Sequence, residues 1–308
     1  MNLEQLQGVV EIARTGNFTR AADALHLAQP SLSRQIAALE RELGAELFHR
    51  ARGHVSPTAA GATLLPYARR ILADADAIRQ EMGEIAGLRR GRVRLGATPS
   101  LCTSIVTEVV GAFRDRHPGI EISVLERGSR GLVDALAEGE LDLALVTSSD
   151  ATAASPVSLT RTPLLVEDLV VVSSSTSPPL AEDGRIGLAD LARLPLIAFP
   201  RSYDLRVATD AAFAGAGLRP AFVVEGPEMD AVLRFVERGV GVAIVPALVH
   251  HGRAELRATA LTAAMSRTVS LARRADMPPS HAAHALQRTI VATADRFASA
   301  GAFISRAG

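Results

Sequence analysis

The chain has 308 residues, enough for roughly two domains with separate hydrophobic cores. Its 48% apolar and 21% charged residues are typical of a folded globular protein and exclude a disordered chain. The 33 basic residues, all arginine, balance 33 acidic ones, so the net charge of +0 does not by itself indicate a nucleic acid or a membrane as partner. The single cysteine, Cys102, excludes an intramolecular disulfide.

The N-terminus and the apolar tracts show no signal for export or membrane insertion. Residues 1–18 include Glu4 and Glu11 and lack both a basic segment and a continuous apolar core, so we do not expect a signal peptide. The longest apolar tract, residues 239–249, is shorter than the ~20 residues that span a bilayer. We therefore expect a soluble, cytoplasmic protein without a membrane partner.

The first sixty residues predict a helix-turn-helix. An apolar stripe predicts a first helix that ends at Gly16, and Thr19 is a suitable N-cap for a short, alanine-rich second helix. A longer helix with Pro30 in its first turn follows after a short connection. The stripe on the first helix consists of Leu3, Leu6, Val10 and Ala13.

The third helix combines an apolar anchor with a polar front end. Leu32, Ile36, Leu39 and Leu43 recur at helical spacing and would fix the helix in its domain. The start lacks a favoured cap, because Gln29 occupies the cap position, and it carries side chains that pair with base edges or phosphates in the major groove. The residues predicted to contact DNA, including arginines near the following turn, are Thr19, Arg20, Gln29, Pro30, Ser31, Ser33, Arg34, Arg50 and Arg52.

Residues 44–58 predict a wing. Leu47 and Phe48 are apolar anchors, and a turn at Gly53 would place a basic tip along the DNA backbone or in the minor groove. The alternative for this region is a plain three-helix bundle with a solvated polar helix end. Residues 1–61 contain six arginines and six acidic residues, so DNA binding must depend on the placement of charges and not on their sum.

Residues 18–61 resemble the winged helix-turn-helix of the LysR-type transcriptional regulators. The matching features are the "AA..L" helix, the "QPSLSRQI..LE.ELG" helix, the "LF.R" step and the "T.AG" start of the next helix. Ala28 and Pro57 stand where the family usually has Ser and Leu, and neither change removes a base-contacting side chain. The resemblance implies a homotetramer that binds interrupted palindromic promoter sites in double-stranded DNA, contacts RNA polymerase and is switched by a small-molecule effector.

Residues 58–88 predict one long helix with a narrow apolar seam. The seam residues step by four and three, as in a coiled coil, and a second copy of the chain is the simplest partner to cover them. A homodimer would pair two DNA-binding heads, as palindromic half-sites require. The alternative is a helix that packs along its own C-terminal domain. The seam consists of Leu64, Ala68, Ile71, Ala75, Ile78, Met82 and Ile85.

The remaining residues alternate strands and helices, which predicts a mostly parallel α/β sheet covered on both faces. Two such patterns with a late strand and helix indicate two Rossmann-like subdomains, similar to the effector-binding domain of the same family and to periplasmic binding proteins. The expected divisions are a DNA-binding domain at 1–58, a linker and dimerisation helix at 59–88, and an effector-binding domain at 89–308, with subdomain I at about 91–162 and 267–301 and subdomain II at about 163–266.

The expected effector site lies where strands end beside helix N-termini, the usual ligand position in open α/β sheets. Hydroxyl groups, free N–H groups and two arginines in these loops fit a small carboxylate or another anion. The alternative is that the Ser and Thr residues only cap helices. The candidate effector-binding residues, several of them placed by the family resemblance, are Thr98, Pro99, Ser100, Cys102, Ser129, Arg130, Thr147, Arg201, Ser202, Tyr203 and Pro227.

Other residues give no signal for catalysis, a cofactor or a metal. Cys102 would need a second thiol from another chain, or a stable sulfenate, to act as a redox sensor. His281 and His284 share one helix face, but no cysteine or clear acid accompanies them. No nucleophile elbow, phosphate-binding loop or dinucleotide fingerprint is present, so we expect neither an enzyme nor a cofactor. A solute-binding protein, which would not need residues 1–60, and a ligand-independent DNA-binding repressor are the alternatives.

Overall fold

The computed structural model describes residues 1–51, 54–85, 91–148, 159–226 and 228–307. Within these ranges the chain forms a winged helix-turn-helix, a long helix and an α/β domain, so the predicted fold class is confirmed. None of the helices in these ranges combines the length and the hydrophobicity that a bilayer crossing requires. The elements before residue 90 are α1 (Leu3–Thr15), α2 (Phe18–Ala24), α3 (Gln29–Leu43), β1 (Phe48–Ala51), β2 (His54–Pro57) and α4 (Ala59–Ile85).

The core face of α1 differs from the predicted stripe. Leu3, Val10 and Ala13 are only partly buried. The sequence fits two faces because Val9 and Val10 are adjacent, and the face that contains Val9 packs into the shared core of the DNA-binding domain. The fully buried apolar residues of α1 are Leu6, Val9 and Ile12.

The cap of α2 is Asn17 and not Thr19, so the predicted N-cap is wrong. The Asn17 side-chain oxygen accepts hydrogen bonds from the backbone N–H groups of Thr19 at 2.8 Å and Arg20 at 3.1 Å. Asn17 has the extended backbone that a cap requires, and Asn ranks above Thr as a capping residue. Ala21 and Ala22 are buried, and their short side chains allow α2 to pack closely against its neighbours.

The predicted wing is present as an antiparallel hairpin, β1 paired with β2 from Phe48–Pro57 to Ala51–His54. Residues 52 and 53 at its tip lie outside the described residues. Gly61, in the first turns of α4, faces the start of this hairpin, and a Cβ atom there would lie 2.0 Å from the Leu47 backbone oxygen. Only glycine therefore allows α4 and the wing to approach this closely.

The elements of the α/β domain follow in chain order. Its helices are α5 (Pro99–Cys102), α6 (Ile105–Arg116), α7 (Ser129–Ala137), α8 (Leu188–Leu191), α9 (Asp204–Gly215), α10 (Met229–Glu237) and α11 (His281–Ala300), with a short 3-10 helix at Ala247–Val249. Its strands are β3 (Gly91–Ala97), β4 (Ile120–Glu126), β5 (Leu143–Ser148), β6 (Leu159–Ser174), β7 (Arg185–Ile186), β8 (Leu196–Ala198), β9 (Phe222–Glu225), β10 (Ala243–Pro246), β11 (Leu256–Leu261), β12 (Ser266–Arg274) and β13 (Ile304–Arg306).

Two lobes share the long strand β6. In lobe I the parallel strands β4, β3 and β5 are followed by β12, which pairs antiparallel with both β5 and the first part of β6. In lobe II the second part of β6 lies between β10 and β11, with β7 beyond β11. The parallel pair β8–β9 joins this lobe through a bridge between Leu196 and Val242. Strands β6 and β12 therefore run along the junction of the two lobes. The prediction of a mostly parallel sheet is wrong, because β10, β11, β12 and β13 all pair antiparallel with β6 and make the sheet mixed.

The long helix α4 is fixed to both domains of its own chain. Leu64 packs on the core of the DNA-binding domain, and Ala68 is fully buried. Further along, Arg69 forms ion pairs with Glu138 and Glu140 of lobe I. The second of the two alternatives for this helix, contact with its own C-terminal domain, thus holds for one of its faces.

A second face of α4 is exposed. Tyr67, Ile71, Ile78 and Met82 recur at i, i+4, i+11 and i+15 and are 63%, 38%, 60% and 56% exposed. This stripe lies roughly 100° around the helix from the face that contacts lobe I, at about 100° per residue. Of the predicted seam, Ile71, Ile78 and Met82 belong to the stripe and Ala75 is partly buried, whereas Leu64 and Ala68 are used within the chain. The side chain of Ile85 lies outside the described residues.

Candidate functional site

The first turn of α3 is an uncapped polar surface. Its N-cap residue is Ala28, not Gln29 as predicted, and it makes no side-chain capping bond. Gln29, Pro30 and Arg34 are exposed, and the Gln29 amide donates to the Ser33 hydroxyl at 3.1 Å. Arg34 makes no hydrogen bond or ion pair with any residue in the described part of the chain. These groups are therefore available to base edges and phosphates.

Three buried residues hold this turn in place. Leu32, Ile36 and Leu39 have no exposed surface and belong to the core of the domain. Leu43 is 43% exposed, so its predicted anchoring role is wrong. It is the last residue of α3, where the helix has passed the edge of the core and Gly44 turns the chain in a left-handed conformation.

The other residues predicted to contact DNA differ in their exposure and in whether their side chains already have partners. Thr19 and Ser31 are polar groups near the helix starts, exposed and partly buried respectively. The Arg20 guanidinium donates to the Thr15 carbonyl oxygen at 2.5 Å. Arg50 pairs with Glu40 at 3.1 Å and lies 5.1 Å from the ring centre of Phe18, so it is held against α2 and α3. Arg52 lies outside the described residues.

A cavity of about 190 Å³ lies between the two lobes. Strand ends of lobe I supply its hydroxyl groups, the N-termini of α9 and α10 form the facing wall, and β12 supplies an arginine. The predicted residues that line it are Thr98, Pro99, Ser100, Thr147, Ser202 and Tyr203. The lining residues that the sequence did not indicate are Gly128, Asp204, Leu205, Met229 and Arg267.

Arg267 is the cation that lines the cavity. Its guanidinium donates to the Ser100 hydroxyl at 2.8 Å and, through Nε, to Glu167 at 2.9 Å. Glu167 has no exposed surface and stands opposite Arg267 in the β6–β12 pairing, where it also accepts the Leu248 backbone N–H at 2.9 Å. The sequence contained one signal for this pair, an acidic residue within an apolar strand and an arginine at the start of another.

The hydroxyl groups at the cavity do not act as helix caps. Thr98 is the N-cap residue of α5 but makes no side-chain capping bond. Its hydroxyl lies 3.4 Å from that of Ser100. Ser129 is the first residue of α7, and its hydroxyl accepts the Thr147 backbone N–H at 3.1 Å. The interpretation that these residues only cap helices is therefore wrong.

Four predicted effector residues do not line the cavity. Ser129 contacts it only through Thr147, and Arg130 is exposed on α7. Arg201 is 81% exposed and pairs with Glu225 at 3.3 Å. Burial, reinforced by the charge of Glu126 and a hydrogen bond to it, raises the pKa of Cys102 to about 12. Its thiol is protonated at neutral pH and is a poor redox sensor. Pro227 lies outside the described residues.

The lobe II wall is apolar with acids at its margin. Leu205 and Met229 are buried, and the Tyr203 ring stacks on Phe199 at a centroid distance of 5.7 Å. The Tyr203 hydroxyl donates to Glu228, and Asp204 lines the cavity itself. The described ranges contain no group of three or more His, Cys, Asp or Glu residues that could hold a metal ion.

Comparison with known families covers both domains. The family of the LysR substrate binding domain matches residues 86–295, and that of bacterial regulatory helix-turn-helix proteins of the lysR family matches residues 3–62. The HTH-type transcriptional regulator CysB of Haemophilus influenzae is 30% identical over 261 residues, which are 81% of this chain and 77% of the relative. The nitrogen assimilation regulatory protein nac of Klebsiella aerogenes is 31% identical, over 80% of this chain and 78% of the relative.

Solved full-length structures share the fold. An OxyR variant from Pseudomonas aeruginosa has a TM-score of 0.70 at 24% identity and covers 94% of both chains. CbnR, described as a LysR family transcriptional regulator, has a TM-score of 0.66 at 24% identity over 96% of this chain and 99% of its own. A second CbnR structure, solved as a complex with its target DNA, has a TM-score of 0.63 at 24% identity over 96% of this chain and 99% of its own.

Proposed function

Because the chain belongs to the LysR family of DNA-binding transcriptional regulators, which are not enzymes, we propose a division of labour among its parts. The first turn of α3 contacts base edges, the exposed stripe of α4 pairs two chains, and the cavity between the lobes binds a small anionic effector. The working form is a cytoplasmic homotetramer that binds interrupted palindromic promoter sites and contacts RNA polymerase. The family resemblance supports these last features.

The observation that supports the DNA contact is that Arg34 is exposed and has no partner among the described residues, beside Gln29 and Ser33. Arginine and glutamine can each form two hydrogen bonds with one base in the major groove, which gives sequence discrimination of about 1–3 kcal/mol per pair. Separate replacement of these three residues by alanine tests the proposal in a gel-shift titration of a duplex selected from a random-sequence pool. We expect weaker binding for at least one variant, and unchanged affinity for all three would contradict the proposal.

The dimer contact is carried by Ile71, Ile78 and Met82, large apolar side chains in one exposed row. An exposed apolar row of this kind marks an interaction surface, and a second α4 offers the same pattern. Ile78→Glu should reduce the molecular mass measured by sedimentation at micromolar concentration. The control is Arg79→Glu, the adjacent exposed position outside the stripe, which should preserve the oligomer. Equal masses for both variants and the natural chain would contradict the proposal.

The effector contact is carried by Arg267 at 2.8 Å from the Ser100 hydroxyl, both in the cavity wall. A charged donor next to hydroxyl groups in a site sheltered from water binds anions through short, strong hydrogen bonds. Arg267 is better placed for this role than Arg201, which is 81% exposed and lies outside the cavity.

A thermal-unfolding screen of the full chain against small organic acids tests the effector proposal. An acid at about 100 times its Kd should stabilise the natural chain by about 2.7 kcal/mol, a shift of several degrees in Tm. Arg267→Ala should abolish the shift, and Arg201→Ala should preserve it. A ligand-independent repressor would show no shift with any acid, and this outcome would contradict the proposal.

A further inference from the structure

We propose that the cavity between the lobes selects a small monocarboxylate with a compact apolar body and discriminates against dicarboxylates. This inference rests on the proposed effector function of the same cavity. Three observations carry it: the charge already paired with Arg267, the size and apolar wall of the cavity, and the acids on the side opposite Arg267.

The positive charge of Arg267 is already largely balanced. Glu167 accepts the Nε–H of Arg267 at 2.9 Å, its carboxylate lies 2.8 Å from Nη2 in an ion pair, and it is itself fully buried. The Nη1 donors of Arg267 form no hydrogen bond with the described residues. A ligand carboxylate can therefore hydrogen-bond to Arg267 and Ser100, but the pair with Glu167 supplies no surplus charge for a second anionic group.

The cavity is small and mostly apolar away from this anchor. Its volume is about 190 Å³, whereas pockets for drug-sized ligands measure roughly 300–1,000 Å³. A cavity of roughly 150 Å³ holds benzene. The space beyond the carboxylate-binding end therefore fits a short branched chain or one ring, in contact with Leu205, Met229 and the Tyr203 ring.

The side opposite Arg267 carries more acids than free cations. Asp204 lines the cavity, and Glu228 accepts the hydroxyl of Tyr203, which lines it as well. Two arginines of lobe II near this side are engaged: Arg201 pairs with Glu225, and Arg206 pairs with Asp210 at 2.8 Å. A second carboxylate on the ligand would therefore face like charges and would lose its hydration without a cationic partner.

Matched ligands of equal length test this selectivity. We would titrate the full chain calorimetrically with pentanoate, pentanamide and pentanedioate, and with the corresponding six-carbon set. We expect the monocarboxylates to bind about tenfold or more tightly than either the amide or the diacid, since the amide lacks the charge-assisted bond and the diacid meets the acids. Arg267→Ala should reduce monocarboxylate affinity to that of the amide.

Charge removal at two acids sharpens the test. Glu167→Gln leaves the full charge on Arg267, and Asp204→Asn removes the acid in the opposite wall, so each should raise diacid affinity relative to monoacid affinity at least threefold. Glu255→Gln, which removes an exposed carboxylate outside the cavity lining, should leave the ratio unchanged. Asp204 is exposed, so its variant remains informative even if Glu167→Gln does not fold.

Different results would contradict the ligand class and the effector site itself. Diacid binding that equals or exceeds monoacid binding and depends on Arg267 would overturn the ligand class and leave the effector site intact. Absence of binding by every member of both sets would overturn the ligand class, and absence of any stabilising acid in the wider screen would overturn the effector site as well. Binding that persists in Arg267→Ala would place the ligand elsewhere and overturn the inference.

Discussion

The first turn of α3 and the cavity between the lobes each present an arginine, but the two arginines differ in their exposure and in their partners. Arg34 is exposed and has no polar partner among the described residues. Arg267 is only 12% exposed and is held by a fully buried glutamate and a serine hydroxyl. In the roles proposed for them, Arg34 stays free for a large, charged and hydrated partner, and Arg267 is already fixed in place for a small ligand.

The difference follows from what each partner supplies. DNA brings dense negative charge and releases counterions when a cation binds, so an unpaired surface arginine needs only a rigid platform beneath it. A small ligand brings one charge and must be recognised by geometry, so its site requires prealigned donors and a controlled charge balance.

The largest expected effect is destabilisation of the DNA-binding domain by Gly61→Ala. A Cβ atom at residue 61 would lie 2.0 Å from the Leu47 backbone oxygen, so α4 and the wing must separate. We expect the free energy of unfolding of the DNA-binding domain to fall by about 4 kcal/mol, the upper range for one substitution. The measurement is the first thermal transition followed by circular dichroism. Gly111→Ala is the control, because nothing lies within 4 Å of its added Cβ atom. An equal Tm for both variants would contradict the packing argument.

A smaller loss should separate two leucines of the same helix. Leu39 has no exposed surface and Leu43 is 43% exposed, although their sequence spacing is equivalent. Leu39→Ala should cost about 3 kcal/mol through lost burial and a cavity, whereas Leu43→Ala should cost less than about 1 kcal/mol. Chemical unfolding of the two variants in parallel provides the comparison. Similar midpoints would mean that Leu43 contributes to the core after all.

The sequence predicted the DNA-binding domain better than the cavity, because the residues of that domain are close together in the chain. Residues 18–61 carry the whole motif in one ungapped segment, which follows a helix break at Gly16 and contains a second break at Gly44 and a turn between arginines. The errors in this domain concern single positions: the caps of α2 and α3, the buried face of α1, and the burial of Leu43. None of these errors moves an element.

The cavity is assembled from residues far apart in the chain. Arg267 and Glu167 meet only because β6 and β12 pair at this register, and no local pattern encodes that pairing. The helical segment after β3 is divided into α5 and α6, where the Ser104 hydroxyl donates to the Ser100 carbonyl at 2.6 Å and competes with the helical bond. The strands β7 and β13, of two and three residues, are too short to leave a pattern in the sequence, and their pairing with β11 and β6 stabilises them.

The smallest expected effect concerns the ion pairs between α4 and lobe I. Arg274 bridges Asp74 of α4 at 3.1 Å and Asp276 at 3.0 Å. The hydrogen bond from Arg274, with the charges of Arg274 and Arg70, lowers the pKa of Asp276. Because the folded-state pKa lies below the unfolded value, this pair stabilises the protein above about pH 4 and its contribution is lost as the pH falls through the lowered pKa.

Asp276→Asn should therefore lower the free energy of unfolding by less than about 1 kcal/mol at pH 7, since the group is partly exposed. Its difference in Tm from the natural chain should shrink towards pH 3. Asp115→Asn, at an exposed position on α6, should show no such pH-dependent difference. A difference for Asp276→Asn that grows on acidification would contradict the assignment.

One fluorescence-anisotropy titration tests most directly whether Arg34 contacts DNA and Arg267 does not. A labelled duplex selected from a random-sequence pool is titrated with the ligand-free natural chain, Arg34→Ala, Arg41→Ala and Arg267→Ala. Arg34→Ala should weaken binding about 10- to 100-fold, whereas Arg41→Ala, an exposed arginine in the last turn of the same helix, and Arg267→Ala should stay within about twofold. Unchanged affinity for Arg34→Ala, or an equal loss for Arg267→Ala, would contradict the proposed division.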